Sequence, residues 1–164
     1  ELAILRSTDL RFAQARPGRM IAAVEDPRPK AIVLVDDEMP FTDLLVQMMG
    51  DHFDCPILTF SNPAVALKAL PEINVGMLVT DYYMPRLNGL DLILKAGELG
   101  SAPPHSILIT GHTFEDDVDM SATPHFKAML PKPFRWQQLA RLIEQHWPDQ
   151  TGAPLRPGIA SLHR

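Results

Sequence analysis

Cysteine is almost missing from this chain of 164 residues, where Cys55 stands alone. One thiol forms neither an internal disulfide nor a cysteine-built zinc site, so a reducing compartment and a cytoplasmic protein are expected. Long apolar runs are missing as well. No stretch reaches the ~18 uncharged apolar residues of a membrane helix. The opening residues carry Arg6, Arg11, Arg16 and Arg19 but no apolar run suited to a secretory leader. Positive charge is scarce where the chain looks folded: residues 31–148 hold seven Lys/Arg against fifteen Asp/Glu. Residues 1–30 carry six against four, and residues 149–164 two against one. So acidic a middle repels a phosphate backbone, and no nucleic-acid binding is expected. It suits a metal cation or a basic partner surface.

What is present is the balance of a globular domain, 46% hydrophobic and 21% charged, at a length that suits one domain rather than two. The ends read as appendages. Residues 1–29 break at Pro17-Gly18, Pro27 and Pro29 and read as an N-terminal extension or linker. Residues 149–164, with Gly152, Pro154, Pro157 and Gly158, read as a Pro/Gly-containing tail. Residues 30–148 remain as the domain. No internal repeat is visible, and the six His residues show no metal-ligand spacing.

Within the domain, short apolar runs alternate with helical patterns. Ala31 to Val35 is a β-branched run expected to be a strand buried on both faces. Pro40 then opens a helix carrying Phe41, Leu44, Leu45, Met48 and Met49 at helical spacing up to Gly50. Cys55 to Phe60 reads as a second strand. Ser61 or Asn62 caps a helix that Pro63 opens and Pro71 closes. Val75 to Thr80 is the third strand, Gly89 to Leu99 a helix, and Ser106 to Thr110 the fourth strand. Phe114 to about Ser121 reads as a short acidic helix, with Glu115, Asp116, Asp117 and Asp119 and few apolar anchors. Phe126 to Leu130 is the fifth strand. Trp136, Leu139, Ala140, Ile143 and Trp147 form the stripe of the last helix. Five such units make a three-layer α/β sandwich around a five-stranded parallel sheet.

In sheets of this kind the working crevice lies at the carboxyl ends of the strands. Here the first strand ends in Asp36-Asp37, the third in Asp81, the fourth in Thr110, and the fifth leads into Lys132-Pro133. Three carboxylates in one crevice repel one another unless a cation neutralises them, and oxygen-only ligands select a hard ion such as Mg²⁺. A hydroxyl and an ammonium on the opposite rim suit phosphoryl oxygens. Together these groups are equipped to move a phosphoryl group onto an aspartate.

Val35-Asp36-Asp37-Glu38, Val79-Thr80-Asp81-Tyr82-Tyr83-Met84-Pro85-Arg86-Leu87-Asn88-Gly89, Ile109-Thr110-Gly111 and Leu130-Pro131-Lys132-Pro133-Phe134 follow in order, each at a strand end. In these motifs residues 31–148 resemble the receiver domain of bacterial two-component response regulators. The resemblance implies a flavodoxin-like receiver fold with strand order 2-1-3-4-5 and a cis peptide between Lys132 and Pro133. It implies Asp81 as the phosphoacceptor, served by a histidine kinase or histidine phosphotransfer protein. Asp36, Asp37, Asp81 and the backbone carbonyl of Tyr83 would hold Mg²⁺, while Thr110 and Lys132 would meet the phosphoryl oxygens. An effector would read the switch on the face of the fourth helix, fifth strand and fifth helix, where a homodimer could also form. No membrane role and no turnover of a free substrate are expected. Either a stand-alone receiver or one cut from a longer protein fits.

Two departures bear on the switch. Met129 stands where the family usually has Tyr or Phe, so a pseudo-receiver that signals without phosphorylation is the alternative. Phe126, three residues earlier, falls on the opposite face of a regular strand. Tyr83 and His112 occupy the positions two after Asp81 and Thr110, and a bulky Tyr83 would shield an acyl phosphate from water. Two other classes fit worse. A haloacid dehalogenase-type phosphatase needs its second acid two residues after a nucleophile on the first strand. In a flavodoxin-like electron carrier, Asp36-Asp37-Glu38 would repel the FMN phosphate.

Overall fold

The computed structural model describes residues 27–99, 104–111, 123, 125–149, 151–159 and 162. Five strands, β1 (Ala31–Val35), β2 (Ile57–Phe60), β3 (Val75–Asp81), β4 (His105–Thr110) and β5 (Phe126–Pro131), form one sheet in the order β2-β1-β3-β4-β5. Every pairing is parallel. The described helices are α1 (Met39–Gly50), α2 (Pro63–Ala69) with a 3₁₀ turn over Leu70–Glu72, α3 (Gly89–Gly97) and α4 (Trp136–His146). The expected acidic helix over residues 114–121 lies outside the described residues.

The two-residue period of each strand splits the core in two. Ile32, Leu34, Met77, Val79, Ile107 and Ile109 face α1 and α4, joining Leu45, Met49, Leu139 and Ile143. Val33, Val35, Leu78 and Leu108 face the other way, toward Ala66 of α2 and Leu92 and Ile93 of α3. Alternate residues of a strand feed opposite layers, so the central strands are apolar almost throughout. This is the expected sandwich. No helix among the described residues is long and apolar enough to cross a membrane.

Local chemistry sets the boundaries. The Asn62 side chain accepts the Ala64 N–H at 2.9 Å and starts α2, with Pro63 in its first turn. Asn88 and Asp91 clasp each other at the start of α3, the Asn88 side-chain oxygen accepting the Asp91 N–H at 2.8 Å. At α4 the Gln138 side chain reaches back to the Arg135 N–H at 2.7 Å. β2 begins at Ile57 rather than Cys55, because Pro56 has no N–H to give a ladder. On α1 the apolar stripe is narrower than its sequence suggests: Leu45 and Met49 are buried with Thr42, while Leu44 and Met48 face outward.

One expectation about β5 needs correction. Phe126 and Met129 pack against the same core cluster, not on opposite faces. The ladder to β4 skips a residue, from Ser106 opposite Phe126 to Ile107 opposite Ala128, and this bulge brings Phe126 to the face of Met129.

The Pro/Gly-containing segment after Asp149 is tied to the domain. Leu155 forms an antiparallel bridge with the fully buried Phe53. On either side of that bridge the Asp54 N–H donates to Pro154 O at 2.7 Å and the Arg156 N–H to His52 O at 2.9 Å. Ala153, Leu155 and Leu162 pack against the α1/α4 core. His52 Nε2 lies 2.8 Å from Glu144 Oε1, and Glu144 Oε2 accepts the Leu162 N–H at 3.0 Å. The side chains of His52 and Glu144 are both buried.

Candidate functional site

Parallel pairing brings the carboxyl ends of β1, β3, β4 and β5 to one rim of the sheet, and polar groups collect there. Asp36 follows β1 directly and is only 6% exposed. Its backbone N–H donates to Phe60 O at 3.2 Å, and its Oδ1 accepts the Glu38 N–H at 2.8 Å, a turn that leads into α1. Asp81 is the last residue of β3 and is 5% exposed. Its Oδ2 accepts the Tyr83 N–H at 3.0 Å. Lys132 follows β5, tied to β4 by its N–H to Thr110 O at 2.7 Å and joined to Pro133 by the expected cis peptide. Its Nζ lies 2.8 Å from Asp81 Oδ1 and 3.4 Å from Asp36 Oδ2. One ammonium thus holds two buried carboxylates together.

The electrostatics follow from this crowding. Burial pushes the Asp36 carboxyl above its ordinary value and the charge of Asp81 adds to the rise, against the pull of the Glu38 N–H and of Lys132. For Lys132, burial acts downward but is outweighed by its bond to Asp81 and the negative charges of Asp36, Asp81 and Glu38, so its net shift is upward. Thr110 is buried at the end of β4. Among the described residues no three or more His, Cys, Asp or Glu side chains converge as a ready-made metal cluster. Of the three carboxylates expected to share the crevice, Asp36 and Asp81 meet at Lys132, while Asp37 stands in solvent. His112 lies outside the described residues.

The loop from Tyr82 to Asn88 follows Asp81. Gly89, the first residue of α3, donates its N–H to Tyr82 O at 3.0 Å. A Cβ at Gly89 would stand 2.1 Å from Asp81 O, so only glycine lets α3 abut the end of β3 this closely. Arg86 turns the loop in a left-handed conformation, φ 74°. The rings of Tyr82 and Tyr83 meet edge-on at 4.7 Å, and Tyr83 is 53% exposed.

An aromatic wall completes the rim, and the sequence does not announce it. The Lys132 ammonium sits over the Phe41 ring, 5.2 Å from its centre. Phe134 meets that ring edge-on at 5.7 Å. In the sequence Phe41 reads only as part of a helical core stripe and Phe134 only as part of a motif. Nothing in their spacing marks a cation beside them. Away from this rim, just before β2, Cys55 lines a groove of about 970 Å³ with Lys30, Trp147 and Asp149. Burial pushes its thiol up to about 11, leaving it unreactive at neutral pH.

Residues 32–144 match the model of the response regulator receiver domain. The chain is 33% identical over 116 residues to the transcriptional regulatory protein FixJ of Rhizobium meliloti, covering 68% of this chain and 54% of FixJ. It is 31% identical over 120 residues to the response regulator receiver protein CpdR of Brucella abortus, covering 71% of this chain and 95% of CpdR. The crystal structure of FixJ-N superposes with a TM-score of 0.58 at 29% identity, over 73% of this chain and 94% of that one. The chain spans about half the length of several curated relatives that it matches.

Proposed function

Because this chain belongs to the response regulator receiver domain family, we propose that residues 30–148 act as a phosphorylation-dependent switch with Asp81 as its acceptor. The donor is a phosphohistidine on a histidine kinase or a histidine phosphotransfer protein. What carries the reading is the ion pair at the strand ends, a buried Asp81 carboxylate 2.8 Å from an ammonium that also faces Asp36. An oxygen of Asp81 attacks phosphorus in line with the P–N bond. The electron pair of that bond leaves with the imidazole, and an acyl phosphate remains. Lys132 offsets the charge of a phosphoryl oxygen, and the Thr110 hydroxyl is the second contact. One group per chain is taken up, with no turnover of a free substrate.

Receiver domains commonly bind Mg²⁺. The donors here suit a hard cation in kind: two buried carboxylates, Asp36 and Asp81, with the Tyr83 carbonyl and Asp37 to complete the set. Bound there, Mg²⁺ would offset the repulsion between these carboxylates and the arriving phosphoryl oxygens. Phosphorylation then biases two states that bind an effector, or a second copy, differently across a face that includes β5 and α4. A cytoplasmic signalling role, with no nucleic acid or membrane contacted by this chain, fits that chemistry.

A second reading, a pseudo-receiver that signals without phosphorylation, is favoured by one residue. Met129, partly buried in the cluster that Phe126 also joins, supplies a flexible thioether in place of a rigid ring. Intact mass after incubation with acetyl phosphate and Mg²⁺ separates the two. A gain of one phosphoryl group, lost with EDTA and in Asp81→Asn, supports the acceptor. No gain while Mg²⁺ binds supports the pseudo-receiver.

A further inference from the structure

The Lys132 ammonium has carboxylates within reach and an aromatic face beneath it. We infer that Phe41 is a positioning residue for Lys132, its ring holding the ammonium against Asp81 before any phosphoryl group arrives. The inference rests on the acceptor reading above and adds a residue to it.

Phe41 lies in the first turn of α1, whose start is set by the turn that Asp36 makes with the Glu38 N–H. The same short segment therefore aims a carboxylate and a ring at the end of β5. There the Lys132 Nζ stands 5.2 Å from the ring centre, within the range of a cation–π attraction. Phe134, two residues past Lys132, meets the Phe41 ring edge-on at 5.7 Å. Both rings pack against the α1/α4 core, so the platform is anchored from below. A lysine carries a long flexible stem, and only about a quarter of this side chain, 26%, is exposed. With the ring beneath it and Asp81 and Asp36 at 2.8 and 3.4 Å, the ammonium is held at the acceptor in advance. Preorganised charge of this kind accelerates transfer because nothing has to be rearranged as charge develops.

The test uses the full chain and four variants, Phe41→Met, Phe41→Tyr, Lys132→Ala and the double variant Phe41→Met/Lys132→Ala. Two quantities are read: the NMR resonance of the Lys132 ε-methylene, assigned by its loss in Lys132→Ala, and the rate of phosphorylation by acetyl phosphate with Mg²⁺. In the wild type the ring current of Phe41 moves that resonance upfield, Phe41→Tyr retains the shift, and Phe41→Met loses it. Phosphorylation at saturating donor slows about three- to ten-fold in Phe41→Met and recovers in Phe41→Tyr. In the Lys132→Ala background, Phe41→Met causes no further slowing. A purely structural role would slow both backgrounds alike, and that result overturns the inference, as does an unchanged resonance in Phe41→Met. A wild type that takes up no phosphoryl group while keeping the Phe41-dependent shift refutes the acceptor reading and leaves the placement of Lys132 by Phe41 supported.

Discussion

Gly89 offers the sharpest test of how the fold builds the rim. It opens α3 directly against the backbone of Asp81. A Cβ there would lie 2.1 Å from Asp81 O and 2.9 Å from both Asp81 C and the Leu108 Cδ1. Opening that 2.1 Å approach to an ordinary contact of 3.4 Å displaces the start of α3 from the end of β3 by about 1.3 Å. Overpacking that a flexible side chain can absorb costs about 1–3 kcal/mol. Here the obstacle is backbone, so Gly89→Ala is expected to cost ~3 kcal/mol or more, from a total stability of about 5–15 kcal/mol for an ordinary domain. That corresponds to a fall in Tm of roughly 10 °C for a chain of this size. Gly50 is the matched control. It ends α1 with nothing within 4 Å of its would-be Cβ. Gly50→Ala should therefore stabilise by ~0.4–1 kcal/mol through the unfolded chain. Thermal unfolding of the two variants beside the wild type measures both effects. A Gly89→Ala protein that melts within ~2 °C of wild type, well under the shift expected from its clash, would refute the close approach of α3 to Asp81.

The buried charges, the C-terminal segment and Tyr83 each make a further expectation. Because burial raises the Asp36 pKa, the folded chain binds its proton more readily than the unfolded one, and metal-free stability falls as pH rises from the ordinary value of 3.8 through the raised one. Asp36→Asn should flatten that slope and raise Tm at neutral pH, read by calorimetry in EDTA. Glu144→Ala leaves the buried His52 without its carboxylate and the Leu162 N–H without its acceptor. It should cost about 1–3 kcal/mol in urea unfolding, the penalty of leaving buried polar groups unsatisfied, and a cost near zero would contradict the buried pair. Deleting residues 150–164 uncovers Phe53 and should lower Tm by several degrees rather than leave it unchanged, as loss of a free tail would. If Tyr83 shields the acyl phosphate, Tyr83→Ala hydrolyses it several-fold faster, and an unchanged rate counts against shielding.

Much of this molecule is legible in its sequence because its signals are local. Ala31 to Val35 is too short and too β-branched for a helix, and Pro40 fixes where the next element begins. The residues that end each strand, Asp36, Asp81, Thr110 and Lys132, follow at once from the strands, since a parallel sheet gathers its carboxyl ends on one rim. What could not be read depends on partners distant in the chain. His52 and Glu144 are 92 residues apart and meet only after α1 and α4 pack. Leu155 shows no period, because a single bridge to Phe53 needs none. The bulge beside Ser106 inverts the expected face of Phe126 without leaving a mark in an alternating pattern. Asp37 reads as an equal of Asp36, yet the turn at Glu38 carries one carboxylate inward and leaves the other in solvent. Leu44 and Met48 continue a helical spacing whose core side is too narrow to cover them. Phe41 reads as core and packs there, and its second contact, with a charge, is a property of the assembled rim.

Locating the phosphoryl group tests the central claim most directly. The chain is incubated with acetyl phosphate and Mg²⁺, reduced with borohydride, which converts an aspartyl phosphate to homoserine, and mapped by peptide mass spectrometry. Homoserine at position 81 and nowhere else is the expected result. Homoserine at position 36 or 37, or at no position while Mg²⁺ binds, would contradict Asp81 as the acceptor.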